Sequence, residues 1–247
     1  MRVLALDTTT RAGSVALVDD DRVIDERSGD GARTHALRLP GEITMLADAN
    51  GVSLSSVDLY AVATGPGSFT GLRIGIATIQ GFAFVHRRHI VGVPVLDALA
   101  HAASGALPVG ALIAAWMDAR RQDVFASMYR VGDGPAFSRE RIVEVDGPTV
   151  ASPAATLARW AGLSVGMPRV FVGDGAVLYA AAIAREVAGG STLPSPLLAG
   201  TIGLLAVARA SDAMDPAVIR PLYVRRTDVE IARDEKLRGT TIKPVDT

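Results

Sequence analysis

Twice along this chain the same order of segments appears: three short β-like runs, a helix, a strand and a helix. No other feature constrains the fold as tightly, because a recurring order asks for two copies of one unit packed side by side. In the first copy, residues 3–6 form a short apolar run that ends in Asp7 and three threonines. "SVALVDDDRVIDERS" then alternates about "DDD", which predicts an antiparallel three-stranded meander. A stripe of Leu37, Ile43, Leu46 and Ala47 predicts a helix over 36–49, stopped by Asn50-Gly51. A strand at 59–63, a helix at 72–85, a strand at 90–93 and a helix at 96–103 complete the unit. After "SGALPVG" the order restarts, with a hairpin of 111–117 and 124–129 around "DARRQD" and a third strand at 141–145. A helix at 154–161, a strand at 170–172, "GDG" as a turn and a helix at 178–187 follow. One more helix is expected at 202–210. The expected division is 1–105 and 106–227, with a helix near 200–212 joining the first unit and a loose polar tail over 228–247.

Two β-β-β-α-β-α units side by side are the plan of the duplicated α/β fold called actin-like or ribonuclease-H-like. In that plan the first strand ends in an acid whose turn offers backbone amides to a phosphate, the acid positioning a metal ion or water. Asp7 and Thr8 of "DTTTRAGS" stand there, and Asp118 of "MDARRQDVF" is the counterpart in the second unit. The second turn needs glycines so that backbone can approach phosphate, but Ala119-Arg120-Arg121 takes their place. Asp7, Thr8 and Asp118 are therefore weak candidate nucleotide contacts, and no working ATPase is expected. The competing reading of Asp7 is a cap on its own turn.

Composition excludes other classes. A chain of 247 residues, 49% of them apolar, can bury a sizeable core. A net charge of −1 argues against a broad electrostatic grip on nucleic acid, and the scattered arginines read as base composition. With no cysteine there is neither a disulfide framework nor thiolate chemistry, which fits a cytoplasmic protein. "MRVLALDTTT" reaches Asp7 too early to read as a signal peptide, and no apolar run approaches the roughly 18 residues of a membrane span.

Between the 59–63 strand and the next helix lies "VATGPGSFTGLRIG". A Walker A loop needs Lys-Ser/Thr after its last glycine, and here Leu72-Arg73 follows Gly71. A dinucleotide fingerprint fails as well, because Gly65 and Gly67 are followed by Thr70, the third glycine having slipped to Gly71. The helix beyond the loop, "LRIGIATIQGFAFV", is apolar nearly all round. Gly71, Gly75 and Thr78 form a small-residue stripe, with Leu72, Ile76 and Ile79 on another side. A helix apolar on every side is buried on every side, against a sheet or against another subunit. The expectation is a subunit interface through Gly65, Pro66, Gly67, Ser68, Phe69, Thr70, Gly71, Leu72, Arg73, Gly75, Ile76, Thr78 and Ile79.

"GPGSFTGLRIG", "LALDTTTRAGSVAL", "MDARRQDVF", "VGDGA" and "PLYVRR" together resemble the TsaB family, the dimerization subunit of the bacterial tRNA threonylcarbamoyladenosine machinery. The resemblance spans residues 4–226 and implies an actin-like fold shared with the catalytic threonylcarbamoyl transferase. It implies a non-catalytic scaffold that pairs with that transferase through helices of the first unit and is joined by a small P-loop ATPase. Transfer RNA is then an indirect partner, modified at the adenosine beside its anticodon. ATP or ADP is expected, if anywhere, in the assembled complex, and a homodimer is an option for the lone chain. The catalytic paralogue carries a His-x-x-x-His metal site where this chain has Val95 and Leu99, with His101 alone nearby, so no metal is expected. His86 and His89 of "HRRH" are expected to cap the end of their helix. Arg120, Arg121, Arg225 and Arg226 read as solvated surface rather than as RNA contacts; His35 and Pro40 keep the family pattern without an assigned role. The alternative function is a nucleotide-dependent small-molecule kinase or ATPase of the same fold, which would need glycines near Asp118.

Overall fold

The first sheet grows from a central strand that is apolar on both faces. In the computed structural model, which describes residues 1–225, β1 (Arg2–Asp7) pairs antiparallel with β2 (Ser14–Asp19) and parallel with β4 (Leu59–Gly65). β3 (Arg22–Ser28) is the alternating, half-exposed edge, and β5 (Ile90–Pro94) closes the other side. The order is β3-β2-β1-β4-β5. α1 (His35–Ala49), α2 (Phe69–His86) and α3 (Val95–Ser104) complete this lobe. The second lobe repeats the order with β6 (Leu112–Asp118), β7 (Val124–Val131), β8 (Ile142–Ala151), α4 (Pro153–Ala161) and β9 (Val170–Val172). It continues through α5 (Asp174–Leu178), α6 (Ala180–Glu186) and β10 (Ser191–Leu193). Its sheet runs β8-β7-β6-β9-β10, the same connectivity as the first. This is the duplicated actin-like architecture.

Five layers result. α1 and α2 cover the outer face of the first sheet, where Leu4, Leu6, Val15, Leu17 and Tyr60 meet Leu39, Ile43, Ile76 and Ile79. α4, α5 and α6 cover the outer face of the second, around Trp116, Trp160 and Phe171. α3 and a further helix, α7 (Ala199–Ala208), lie between the sheets and join both inner faces into one core. α7 seats on the first sheet: Gly203 brings its backbone onto Val18 and Ala5. Ser14 Oγ accepts from the Ala199 amide (3.0 Å), and Glu26 from that of Gly200 (2.8 Å), so two orphan amides of the helix N-terminus are satisfied by the first sheet. Among the described residues no helix is long and apolar enough to cross a membrane.

Several expectations change. "GDG" is not a turn, since Asp174 and Gly175 already open α5, and the helix expected over 178–187 is broken at Tyr179 (φ −108°, ψ 23°). β10 adds a parallel strand that a three-residue run gave no period to reveal. α2 starts at Phe69 because Ser68 Oγ caps the Gly71 amide (3.2 Å), α7 begins at Ala199, and β8 extends to Ala151. Leu37, expected in the buried stripe of α1, is 70% exposed, and Leu39 takes the inward place. The tail expectation and Arg226 lie outside the described residues.

Candidate functional site

A cleft of about 1120 Å³ opens between the lobes, bounded by the β1–β2 turn, the β4–α2 loop, the β6–β7 turn, Asp174 and the segment Leu222–Arg225. Its two acidic turns are satisfied internally. Asp7, 4% exposed, accepts from the Thr9 amide (2.8 Å) and the Thr9 hydroxyl (2.6 Å), and burial raises its pKa above the ordinary carboxyl value. The cap reading of Asp7 is thus the one the geometry shows. In the second turn Asp118 Oδ1 takes the Arg120 amide (2.8 Å), while Asp174 Oδ1 takes those of Asp118 (3.0 Å) and Gly175 (2.8 Å). Four amides in or beside the two turns, those of Thr9, Asp118, Arg120 and Gly175, thus serve the chain's own carboxylates. Arg120, Arg121 and Gln122 all have left-handed φ (61°, 55° and 64°), and both arginines line the cleft. These residues do not fit the phosphate grip of an actin-like ATPase.

The glycine loop docks on the first turn. The Ser68 amide donates to the Thr9 carbonyl (2.8 Å). A Cβ on Gly67 would meet Thr9, and one on Gly71 or Gly75 would collide with Thr8. The expectation that Gly71, Gly75 and Thr78 face a partner is therefore corrected: the two glycines turn inward and let α2 lie on the β1–β2 turn. Gly65, Pro66, Leu72, Ile76 and Ile79 are also buried within the protomer, Ile79 completely, so they cannot form an external surface. Of the interface candidates, Ser68, Phe69, Thr70 and Arg73 are exposed, while Gly67 and Thr78 are half-buried.

The helix does have an outward face, one that its all-round apolar sequence concealed. Arg73, Ala77, Gly81, Phe84 and Val85 are exposed, Phe84 by 79% and Val85 by 73%. α1 packs beside α2 and exposes Leu37, Gly41 and Met45, the last by 65%. Among the described residues, a Cβ on Gly41 or Gly81 would meet nothing within 4 Å. Glycine inside a helix costs about 1 kcal/mol against alanine, and neither residue has a close packing neighbour among the described residues that would recover it. Exposed aromatic and aliphatic side chains thus lie beside bare backbone on two adjacent helices.

α1 and the cleft are linked by His35, to which the sequence assigned no role, and by Arg38, which it did not single out. His35 Nε2–H donates to the Thr10 carbonyl (2.9 Å), and its Nδ1 accepts from Arg38 (2.8 Å). Arg38, 4% exposed, also donates to Glu42 (2.5 Å) and to the carbonyls of Arg11 and Ala12. His35 and Arg38 are thus structural, holding the β1–β2 turn against α1. Val95 and Leu99 are fully buried apolar positions of α3. His101 is buried beside Arg209 and Arg141, and burial lowers its pKa to about 4. His86 stacks on Tyr60, and Arg87 ends α2 in a left-handed conformation.

The family model for tRNA N6-adenosine threonylcarbamoyltransferase, TsaD, matches residues 29–233. An uncharacterised protein of Mycobacterium leprae is 31% identical over 251 residues, covering 99% of this chain and 61% of its own length. The tRNA threonylcarbamoyladenosine biosynthesis protein TsaB of Escherichia coli is 38% identical over 133 residues, 53% of this chain and 55% of that protein. The chain thus spans less than two thirds of the length of either relative. The solved structure of YeaZ from Pseudomonas aeruginosa superposes with a TM-score of 0.68 at 29% identity, over 90% of this chain and 99% of that one.

Proposed function

Because the chain belongs to the TsaB family, we propose that it is a non-catalytic scaffold of tRNA threonylcarbamoyladenosine biosynthesis. It docks the catalytic transferase subunit on the exposed α1–α2 face. The observation that carries this reading is the pair of helix glycines, Gly41 and Gly81, left open among Leu37, Met45, Phe84 and Val85. A stable complex buries roughly 1,200–2,000 Å² in total, and two adjacent helices of 15 and 18 residues offer a surface of that order. In this reading a small P-loop ATPase joins the pair, transfer RNA is met through the complex, and the lone chain pairs with a second copy through the same face. Nucleotide enters only with the assembled complex, a reading supported by the Thr9, Asp118 and Arg120 amides, which serve the chain's own carboxylates.

The absence of turnover by the lone chain is part of the same proposal. Buried Val95 and Leu99 support it, standing where the resemblance puts metal-binding histidines, as does the arginine-rich turn at Ala119–Gln122, where an ATPase needs glycine. The test is calorimetric titration of the purified chain with a TsaD-type transferase, beside assays of the lone chain with Mg-ATP and tRNA. Tight association and no turnover are expected. Turnover by the lone chain that disappears in Asp7→Asn, or failure to associate, overturns the reading.

A further inference from the structure

The chain leaves α7 and returns across the mouth of the cleft, and its last described segment joins the two lobes. The Leu222 amide donates to the Thr64 carbonyl at the end of β4 (2.7 Å). Tyr223 stacks on Phe69 at the start of α2, with ring centroids 4.9 Å apart. Arg225 donates to the Ala119 carbonyl (2.8 Å) and pairs with Asp123, both in the β6–β7 turn of the other lobe. The strap therefore reaches from β4 and α2 on one wall to the strained Arg120–Gln122 turn on the other. Its Tyr223 hydroxyl accepts from Arg73 Nε (2.9 Å), and the Arg73 guanidinium lies over the Phe69 ring at 3.9 Å.

Arg73 also belongs to the docking face. It sits one helical turn before Ala77 and two before Gly81 on the exposed side of α2. It forms no ion pair, and its two terminal nitrogens have no hydrogen-bond partner among the described residues. A planar guanidinium with both terminal nitrogens free, at the end of an apolar docking stripe, is suited to a bidentate carboxylate. We propose that Arg73 receives a carboxylate from the docked partner and that this draws it from Tyr223, loosening the strap and opening the cleft. The partner helix that fits is apolar where it crosses Ala77 and Gly81 and carries an Asp or Glu about one turn further on. This inference rests on the docking reading above.

The experiment joins calorimetry with hydrogen exchange on the full chain, free and with the transferase subunit. Arg73→Ala is expected to weaken association about 10- to 100-fold, with Arg73→Lys intermediate, because a buried charge-assisted pair is lost. In the wild type, association should speed exchange several-fold at Leu222–Arg225 and Ala119–Asp123. Without a partner, Tyr223→Phe, which keeps the stack on Phe69, and Asp123→Asn, which weakens the far anchor, should each speed exchange at the same places. Association of the wild type with the strap as protected as before, or Arg73→Ala binding at wild-type strength, overturns the latch alone. No association by the wild type removes the docking face and the latch's trigger together.

Discussion

Asp7 closes its own turn. Its Oδ1 accepts from both the Thr9 amide and the Thr9 hydroxyl, while burial raises its pKa. The folded chain thus holds this proton to a higher pH than the unfolded chain. Its contribution to stability falls as pH rises from about 4, the unfolded carboxyl value, through the raised folded value. Asp7→Asn keeps an acceptor for both bonds and removes the charge. Its melting temperature should equal or exceed that of the wild type at pH 7.5, and the difference should vanish below pH 4. A variant that melts markedly lower at pH 7.5 would show that the charge itself is stabilising. Gly75 gives the opposite outcome. A methyl group there meets Thr8, and overpacking of this kind costs about 1–3 kcal/mol, so Gly75→Ala should lower the melting temperature by several degrees.

At the scale of the element, α2 separates two kinds of glycine. Gly81 has open space about it among the described residues, so Gly81→Ala should stabilise the lone chain by up to about 1 kcal/mol through helix propensity. Gly81→Leu should leave melting near normal and weaken association with the transferase subunit by roughly 5- to 150-fold, the equivalent of 1–3 kcal/mol of overpacking. Thermal melts paired with calorimetric titration check both outcomes, and normal association of Gly81→Leu excludes this face. The contrast explains what the sequence could and could not show. The position of α2, its loop and the failure of both nucleotide fingerprints were legible, because they depend on spacing. Which side of α2 faces out was not, because a helix apolar on every side carries no stripe to orient it. The break at Tyr179 and the strand β10 were hidden by shortness. Arg38 and Tyr223 act through partners 27 and 150 residues away, and local pattern is silent about such pairings.

In the whole molecule the two lobes share one core, and its pH response follows from what is buried there. His101 of α3 lies against Arg209, just past the end of α7, and near Arg141 of the second lobe, with Asp97 paired to Arg209 and bonded to the Tyr129 hydroxyl. The folded chain keeps His101 neutral down to about pH 4, whereas an unfolded histidine takes its proton near 6.5. Stability is therefore lost as pH falls through that interval, by roughly 3 kcal/mol from this group. His35, also lowered by burial, acts in the same direction. Denaturant melts of the wild type and of His101→Phe between pH 7 and 4 should diverge in slope, the variant losing less. The position of α7 has a further consequence. The inner face of the first sheet, with Val3, Ala5, Ala16 and Val18, is sealed by Ile202, Leu205 and Ala206, which the ribosome makes only after the whole second lobe. A nascent chain stalled just beyond Ser104 should be cut readily by protease, and one carried past α7 should resist. The half translated first is thus finished last, and until α7 arrives the inner face of its sheet has that part of its apolar surface uncovered.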